Sequence, residues 1–162
     1  MADIKPDFAW LRQKPICLLA FGFGSGLAPV APGTFGTLPA LPLAFVLTLM
    51  GIDGWLLAFV CVCLFVWGIR ICSYTEKALG KQDYGGIVWD EIVAMLLVLA
   101  FVPFHWQWWL WAFIVFRLFD ALKPWPIKWF DRRFHGGFGI MIDDLIAALM
   151  TLLVLHLAAR LF

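Results

Sequence analysis

Charge is the scarcest property of this chain. Asp, Glu, Lys and Arg make up 14% of its 162 residues, against 64% apolar residues and a mean hydropathy of +0.91. A soluble domain carries about 25% charged residues, so these proportions exclude one and indicate an integral membrane protein. Neither sign is in excess: the formal net charge is +1, which gives nucleic-acid binding no electrostatic support. Cysteine is sparse as well. Cys17, Cys61, Cys63 and Cys72 lie in or beside apolar runs without metal-ligand spacing, which predicts buried free thiols. The opening residues MADIKPDFAWLRQKP are polar and basic, and no small-residue cleavage site follows the first apolar run before APVAPG. The N-terminal arm is therefore expected to stay in the mature protein, not to leave as a signal peptide.

What the chain does have is apolar length. Runs at 38–50, 55–69, 92–104, 107–119 and 145–159 approach the roughly 20 residues of a spanning helix. Several fall short, which predicts tilted, broken or partly re-entrant helices. Residues 21–39, FGFGSGLAPVAPGTFGTLP, hold Gly, Ser and Pro too densely for a regular span. Irregular backbone at membrane depth survives only when buried in protein or lining a polar cavity. The expected fold is an all-α polytopic membrane protein, a multihelical bundle with a Gly/Pro-rich broken or re-entrant segment, forming a single domain over residues 1–162.

The few charges are unevenly placed. Threading the helices with the N-terminus inside puts the N-terminal arm, a loop from about 70 to 91 and a loop from about 117 to 137 on one side. That side takes every Lys and Arg except Arg160, while the opposite connections GIDG (51–54) and PFHWQW (103–108) carry none. The positive-inside rule makes the charged side cytoplasmic. Asp83, Asp90, Glu91, Asp120, Asp131, Asp143 and Asp144 fall on the same side, and only Asp53 is clearly opposite. Acids at helix centres would each cost about 2.5–3.5 kcal/mol on insertion scales; placement at helix ends avoids most of that. With the last helix beginning near Phe138, the Asp143–Asp144 pair lies about 8 Å inside its start at 1.5 Å per residue, the depth of a lipid phosphate.

Four segments then look like walls of one polar pocket. In YGGIVWDEIVAML a glycine pair precedes a helix whose first turn carries Asp90 and Glu91; in GGFGIMIDDLIAAL glycines lead into the Asp143–Asp144 pair. In FRLFDALKPWP, Arg117, Asp120 and Lys123 recur every three residues and share a helix face before Pro124 and Pro126 end it. The fourth wall is the broken segment, whose Ser25, Gly26, Gly33, Thr34 and Gly36 offer backbone N–H groups to an anion. Carboxylate oxygens suit a hard cation such as Mg2+, typically held by one or two carboxylates plus water and substrate phosphate. Arg117, Lys123 and Arg132 or Arg133 suit phosphate oxygens, with metal-activated water as the nucleophile. No Cys is followed by five residues and Arg, RFHGG lacks a contiguous Arg-His-Gly, and the paired-aspartate pattern of the CDP-alcohol transferases is missing. No covalent nucleophile is identifiable, so the residues point to metal-assisted phosphoryl chemistry on a lipid.

At these residues the chain resembles the phosphatidylglycerophosphatase A family of bacterial inner membranes. GFGSGLAPVAPGTFGTL is similar to its first motif, GGIVWDEIV to its second and FRLFDALKPWPIKWFDRRFHGGFGIMIDDLIAAL to its third, in the same order over nearly the whole chain. The resemblance implies Mg2+-dependent hydrolysis of the terminal phosphate of phosphatidylglycerophosphate, giving phosphatidylglycerol and inorganic phosphate. It points to Asp90, Glu91, Asp120, Lys123, Asp131, Asp143 and Asp144, with Pro32, Gly33 and Thr34 of the first motif. Ala94 and Ala148 stand where the family often has glycine. The combined expectation is that Asp90, Asp120 and Asp143 or Asp144 bind metal, with Glu91 in the same acidic set. Lys123 and Arg117 then bind phosphate, and the 25–36 loop closes over the headgroup.

The same residues also admit simpler roles. Arg117 and Asp120 suit a structural ion pair at one-turn spacing, and acids in a helix's first turn complement its macrodipole. Lys128, Arg132 and Arg133 suit anchoring to anionic headgroups, with Asp131 a partner for one of them. Trp106, Trp108, Trp109 and Trp111 suit an interfacial aromatic belt on the far side, with His105 and His156 in that half. His135, in the glycine loop, is the histidine placed to donate a proton to a leaving group. The competing function is a small membrane transporter or ion-coupling protein, which also uses helical acids and broken helices. Transport calls for ionisable groups near mid-membrane with access to both faces. Their collection at one end, and the lack of an inverted repeat, favour an enzyme.

Overall fold

The computed structural model of the protein describes residues 5–161; residues 1–4 of the N-terminal arm, and Phe162, lie outside the described residues. Those described form helices and no strands. Two short helices, α1 (Phe8–Arg12) and α2 (Pro15–Ala20), lead into a 3-10 turn at Gly22–Leu27 and a short α3 (Pro32–Thr37). The longer elements are α4 (Ala40–Leu49), α5 (Gly54–Leu79), α6 (Trp89–Ala100), α7 (Trp106–Leu122) and α9 (Gly136–Leu161), with the short α8 (Ile127–Arg133) between the last two. Pro32–Leu49, α5 and α9 are each long and apolar enough to cross a membrane. At 26 residues each, α5 and α9 reach about 39 Å, more than the roughly 30 Å of a hydrocarbon core.

The apolar runs at 38–50, 92–104, 107–119 and 145–159 correspond to α4, α6, α7 and α9. The run at 55–69 corresponds to a longer element than expected. Helix α5 continues to Leu79, so the connection to α6 is far shorter than the loop drawn from about 70 to 91. The reason is that Ile71, Cys72, Thr75 and Leu79 prolong its buried face. The stop is Gly80, at φ +67, whose N–H reaches the carbonyls of Glu76 and Lys77, an αL ending that a Cβ would penalise. Likewise α8 occupies part of the 117–137 connection, and α9 starts at Gly136 instead of near Phe138.

Helix α6 is the centre of the bundle. Every residue from Trp89 to Leu96 is buried, the acids Asp90 and Glu91 of the first turn included, and α3, α4, α5, α7 and α9 pack against it. At 12 residues it is only about 18 Å long, shorter than α5, α7 and α9, and its first turn is buried among its neighbours. Residues 21–39 are broken as expected: Phe23 and Gly24 take positive φ within the 3-10 turn, and Ala31 is left-handed just before Pro32 restarts a helix.

The two ends of the bundle differ in chemistry. The connections without Lys or Arg gather aromatic rings: Trp55 meets Phe101 edge-on at 4.9 Å between centroids, and Phe104 lies between Phe45 and Trp109. Trp106 and Trp111 are exposed there, whereas Trp108 and Trp109 pack partly into the core. Cys17, Cys61 and Cys72 are buried free thiols, but Cys63 is exposed on α5. The outward face of a membrane helix needs only to be apolar, which a thiol satisfies.

Candidate active site

The opposite end collects the charges, because the starts of α6 and α9 and the last turns of α7 meet there beneath α3. Helix α3 sets the first contact. Its Gly33 and Thr37 are one turn apart and face α6, and a Cβ on Gly33 would collide with Glu91 Oε1 and lie 2.7 Å from Arg117 Nη2. Glycine leaves room for both side-chain ends; a Cβ would push them aside. Thr37 Oγ1, fully buried, lies 2.8 Å from the Gly33 carbonyl and 3.2 Å from Glu91 Oε2, donating to either, and accepts from Arg117 Nη1 at 3.5 Å. Arg117 Nη1 stands 3.0 Å from Glu91 Oε1 and pairs also with Asp120 Oδ2.

A second cation completes the cluster. Lys123 ends α7 in the left-handed region at φ +42, just before Pro124, a conformation uncommon outside glycine. Its Nζ bridges Asp131 Oδ1 at 2.5 Å and Asp143 Oδ2 at 2.6 Å, tying α8 to α9. Burial disfavours the ammonium, but the hydrogen bonds and charges of Asp131 and Asp143 outweigh it and hold the lysine pKa above its ordinary value.

The remaining acids lie deeper. Asp90, Glu91, Asp143 and Asp144 are each at most 9% exposed, and Asp144 feels the charges of Asp120, Asp90, Asp143 and Glu91. Asp90 Oδ1 and Asp144 Oδ2 are buried without a hydrogen-bond partner among the described residues. A buried carboxylate oxygen without a partner is costly, so both atoms have capacity for a further contact. Arg117 Nε is orphaned in the same way.

The structure thus brings Gly33, Asp90, Glu91, Arg117, Asp120, Lys123, Asp131, Asp143 and Asp144 into one cluster. Thr34 is half-buried beside Gly33 on α3. Ser25 stays in the broken segment's own turn, where its hydroxyl donates to the carbonyl of Gly22 at 2.9 Å. Asp131 pairs with Lys123 and not with its helix neighbours Lys128, Arg132 or Arg133, because the chain reverses at Pro124–Pro126 and lays α8 back across α9. Beside Asp143, a polar cavity of about 70 Å³ is lined by Glu76, Asp83, Asp131 and His135.

Two residues enter that the sequence reading did not single out. Thr37 belongs to the quoted first motif, but reading PGTFGT as loop hid the one-turn spacing that puts it with Gly33. Glu76, buried near the end of α5, accepts the Asp83 N–H at 2.8 Å and shapes the approach to α6; the expected loop had already begun before it. Thr37→Val, nearly equal in volume, removes the hydroxyl between Glu91 and Arg117. It is expected to lower kcat about 10- to 100-fold, the range for supporting hydrogen bonds around a functional group, without changing the thermal unfolding midpoint in detergent by more than a few degrees.

Comparison with known proteins agrees with this picture. Residues 18–159 match the family model described as Phosphatidylglycerophosphatase A. The chain is 45% identical over 155 residues to the Phosphatidylglycerophosphatase A of Escherichia coli K12, covering 93% of this chain and 88% of that protein. It is 48% identical over 143 residues to the protein of the same name from Haemophilus influenzae, covering 87% of this chain and 86% of the relative. No solved structure matches the chain. The match takes in the broken segment and the elements that build the charged cluster, and spans too much of the molecule to reflect shared membrane composition. The protein is an enzyme, a membrane phosphatase, and it belongs to the phosphatidylglycerophosphatase A family.

Proposed function

We propose that the protein hydrolyses the terminal phosphomonoester of phosphatidylglycerophosphate, releasing phosphatidylglycerol and inorganic phosphate. The reaction is Mg2+-dependent and takes place at the cytoplasmic face of a bacterial inner membrane. The observation that carries this reading is the meeting of six acids with Arg117 and Lys123 at one end of an apolar bundle, two buried carboxylate oxygens being left without partners. The orientation follows from the Lys and Arg that this end carries and the opposite connections lack. The names of the relatives supply the substrate.

The residues suit Mg2+ in a particular way. Among the described residues no three His, Cys, Asp or Glu side chains are grouped so as to hold a metal ion by themselves. Mg2+ does not require that, since it is usually held by one or two carboxylates with water and substrate phosphate supplying the rest. Asp90 and Asp144 are the residues to hold it, with Asp120 and Asp143 beside them. When bound, the ion supplies positive charge for phosphate oxygens and a water acidified enough to act as nucleophile near neutral pH.

The chain's own groups do the remainder. Arg117 and Lys123 neutralise phosphate oxygens and fix the terminal phosphate. Glu91, Asp120, Asp131 and Asp143 aim those two cations, and Thr37 locks the Arg117–Glu91 pair. The water oxygen bonds to phosphorus, leaving one of its protons on the phosphate and the other to solvent, the bond from phosphorus to the glycerol oxygen breaks, and that oxygen takes a proton. His135, lining the cavity beside Asp131 and Asp143, is placed to provide it. The test is phosphate release by purified protein in detergent from phosphatidylglycerophosphate, phosphatidic acid and a soluble phosphomonoester. Preference for the glycerophosphate lipid supports the reading; release from the soluble ester alone, or from no lipid by folded protein, rejects it.

A further inference from the structure

An apolar groove of about 220 Å³ runs between α5, α6 and α9. Its floor is one face of α6, where Asp90, Val93, Ala94 and Leu97 follow the i, i+3, i+4, i+7 pattern. Seven residues of helix carry it about 10 Å along the bundle axis. Phe65 of α5 and Leu145 of α9 form its walls and are only partly buried, so the groove opens sideways toward lipid. At its charged end lies Asp90, which presents only apolar atoms to the groove and whose buried Oδ1 has no partner among the described residues.

We infer that this groove seats a fatty acyl chain of the lipid whose phosphate reaches the acidic cluster, and so selects membrane-borne over short-chain phosphomonoesters. The groove is continuous with the cluster through Asp90, and it leads away from the charged end along the direction an acyl chain takes from its headgroup. Asp90 presents only apolar atoms to the groove, so an acyl chain lying there meets no polar surface while the Asp90 carboxylate stays with the cluster. A lipid spans both environments, its acyl chain along the apolar groove and its phosphate at the cluster where the groove begins. The inference rests on the lipid-phosphatase reading and adds how the substrate is held.

Two measurements test it. Phosphatidylglycerophosphate carrying a mid-chain diazirine is photolysed with the wild-type protein, and the adducts are mapped by mass spectrometry. Adducts concentrated on Val93, Leu97, Phe65 and Leu145, and lost with excess unlabelled lipid, support the groove even if no phosphate is released. Adducts spread over the outer faces of α4, α5 and α7 overturn it even if hydrolysis is fast, as does a groove unlabelled because a second copy fills it. Second, Ala94→Phe fills the floor. The ratio of kcat/KM for the long-chain lipid to that for its six-carbon-chain analogue should fall about tenfold or more, the scale of discrimination by hydrophobic pockets. An unchanged ratio in folded protein overturns the inference, and if the variant does not fold, the adduct map decides alone.

Discussion

Asp120→Asn should leave the protein inserted and folded while lowering kcat about 10²- to 10³-fold, the effect typical of removing one electrostatic contact to a transition state. The substitution keeps shape and hydrogen bonding but deletes the charge that pairs with Arg117. Arg117 retains Glu91 at 3.0 Å and the Thr37 hydroxyl, so the guanidinium is not left as an uncompensated ion, and its position shifts more than its stability. A purely structural Arg117–Asp120 pair would behave in the opposite way, with a lower unfolding midpoint and the folded fraction still turning over at the wild-type rate. Measuring kcat beside the thermal midpoint in the same detergent separates the two.

The second large effect belongs to Lys123. Lys123→Met preserves length and meets the same left-handed backbone, so the loss is confined to the ammonium. Asp143, at most 9% exposed, and Asp131 then lose the cation that lies 2.6 and 2.5 Å from them. The expected destabilisation is about 2 kcal/mol, below the roughly 3–5 for breaking a fully buried pair, because the lysine side chain is 29% exposed. The expected fall in kcat/KM is about 10²-fold, since a phosphate contact and the link between α8 and α9 go together. Lys123→Arg should rescue stability without full activity. A guanidinium fork does not place one point charge between two carboxylates. Full recovery of rate in Lys123→Arg would count against a positional role for the ammonium.

The sequence exposed some features of this molecule and hid others for physical reasons. Apolar runs announced the main helices because a membrane span leaves little freedom in composition, and Gly and Pro between 21 and 39 announced the break. Helix length was less readable. Arg70 and Lys77 looked like loop, yet the buried stripe through Ile71, Cys72, Thr75 and Leu79 carried α5 on to Gly80. Acids were easy to gather into one cluster, since their burial is expensive anywhere else. Partners were harder. Asp131 finds Lys123 across the Pro124–Pro126 reversal, and Thr37 reaches Glu91 only because PGTFGT is helical, neither of which composition specifies. Ser25 was expected to offer its backbone N–H to an anion; what the fold adds is that its hydroxyl is used locally, on the carbonyl of Gly22.

The most direct check of the central claim, that the acidic cluster works with Mg2+ on a lipid phosphate, is a single titration. Protein purified in detergent and stripped with chelator is supplied with phosphatidylglycerophosphate, and inorganic phosphate is followed as Mg2+ is added. The account predicts no release in chelator and a saturable recovery with Mg2+ that Asp90→Asn and Asp144→Asn shift to higher concentrations. Full-rate release in excess chelator, from protein shown to be free of divalent metal, would contradict it.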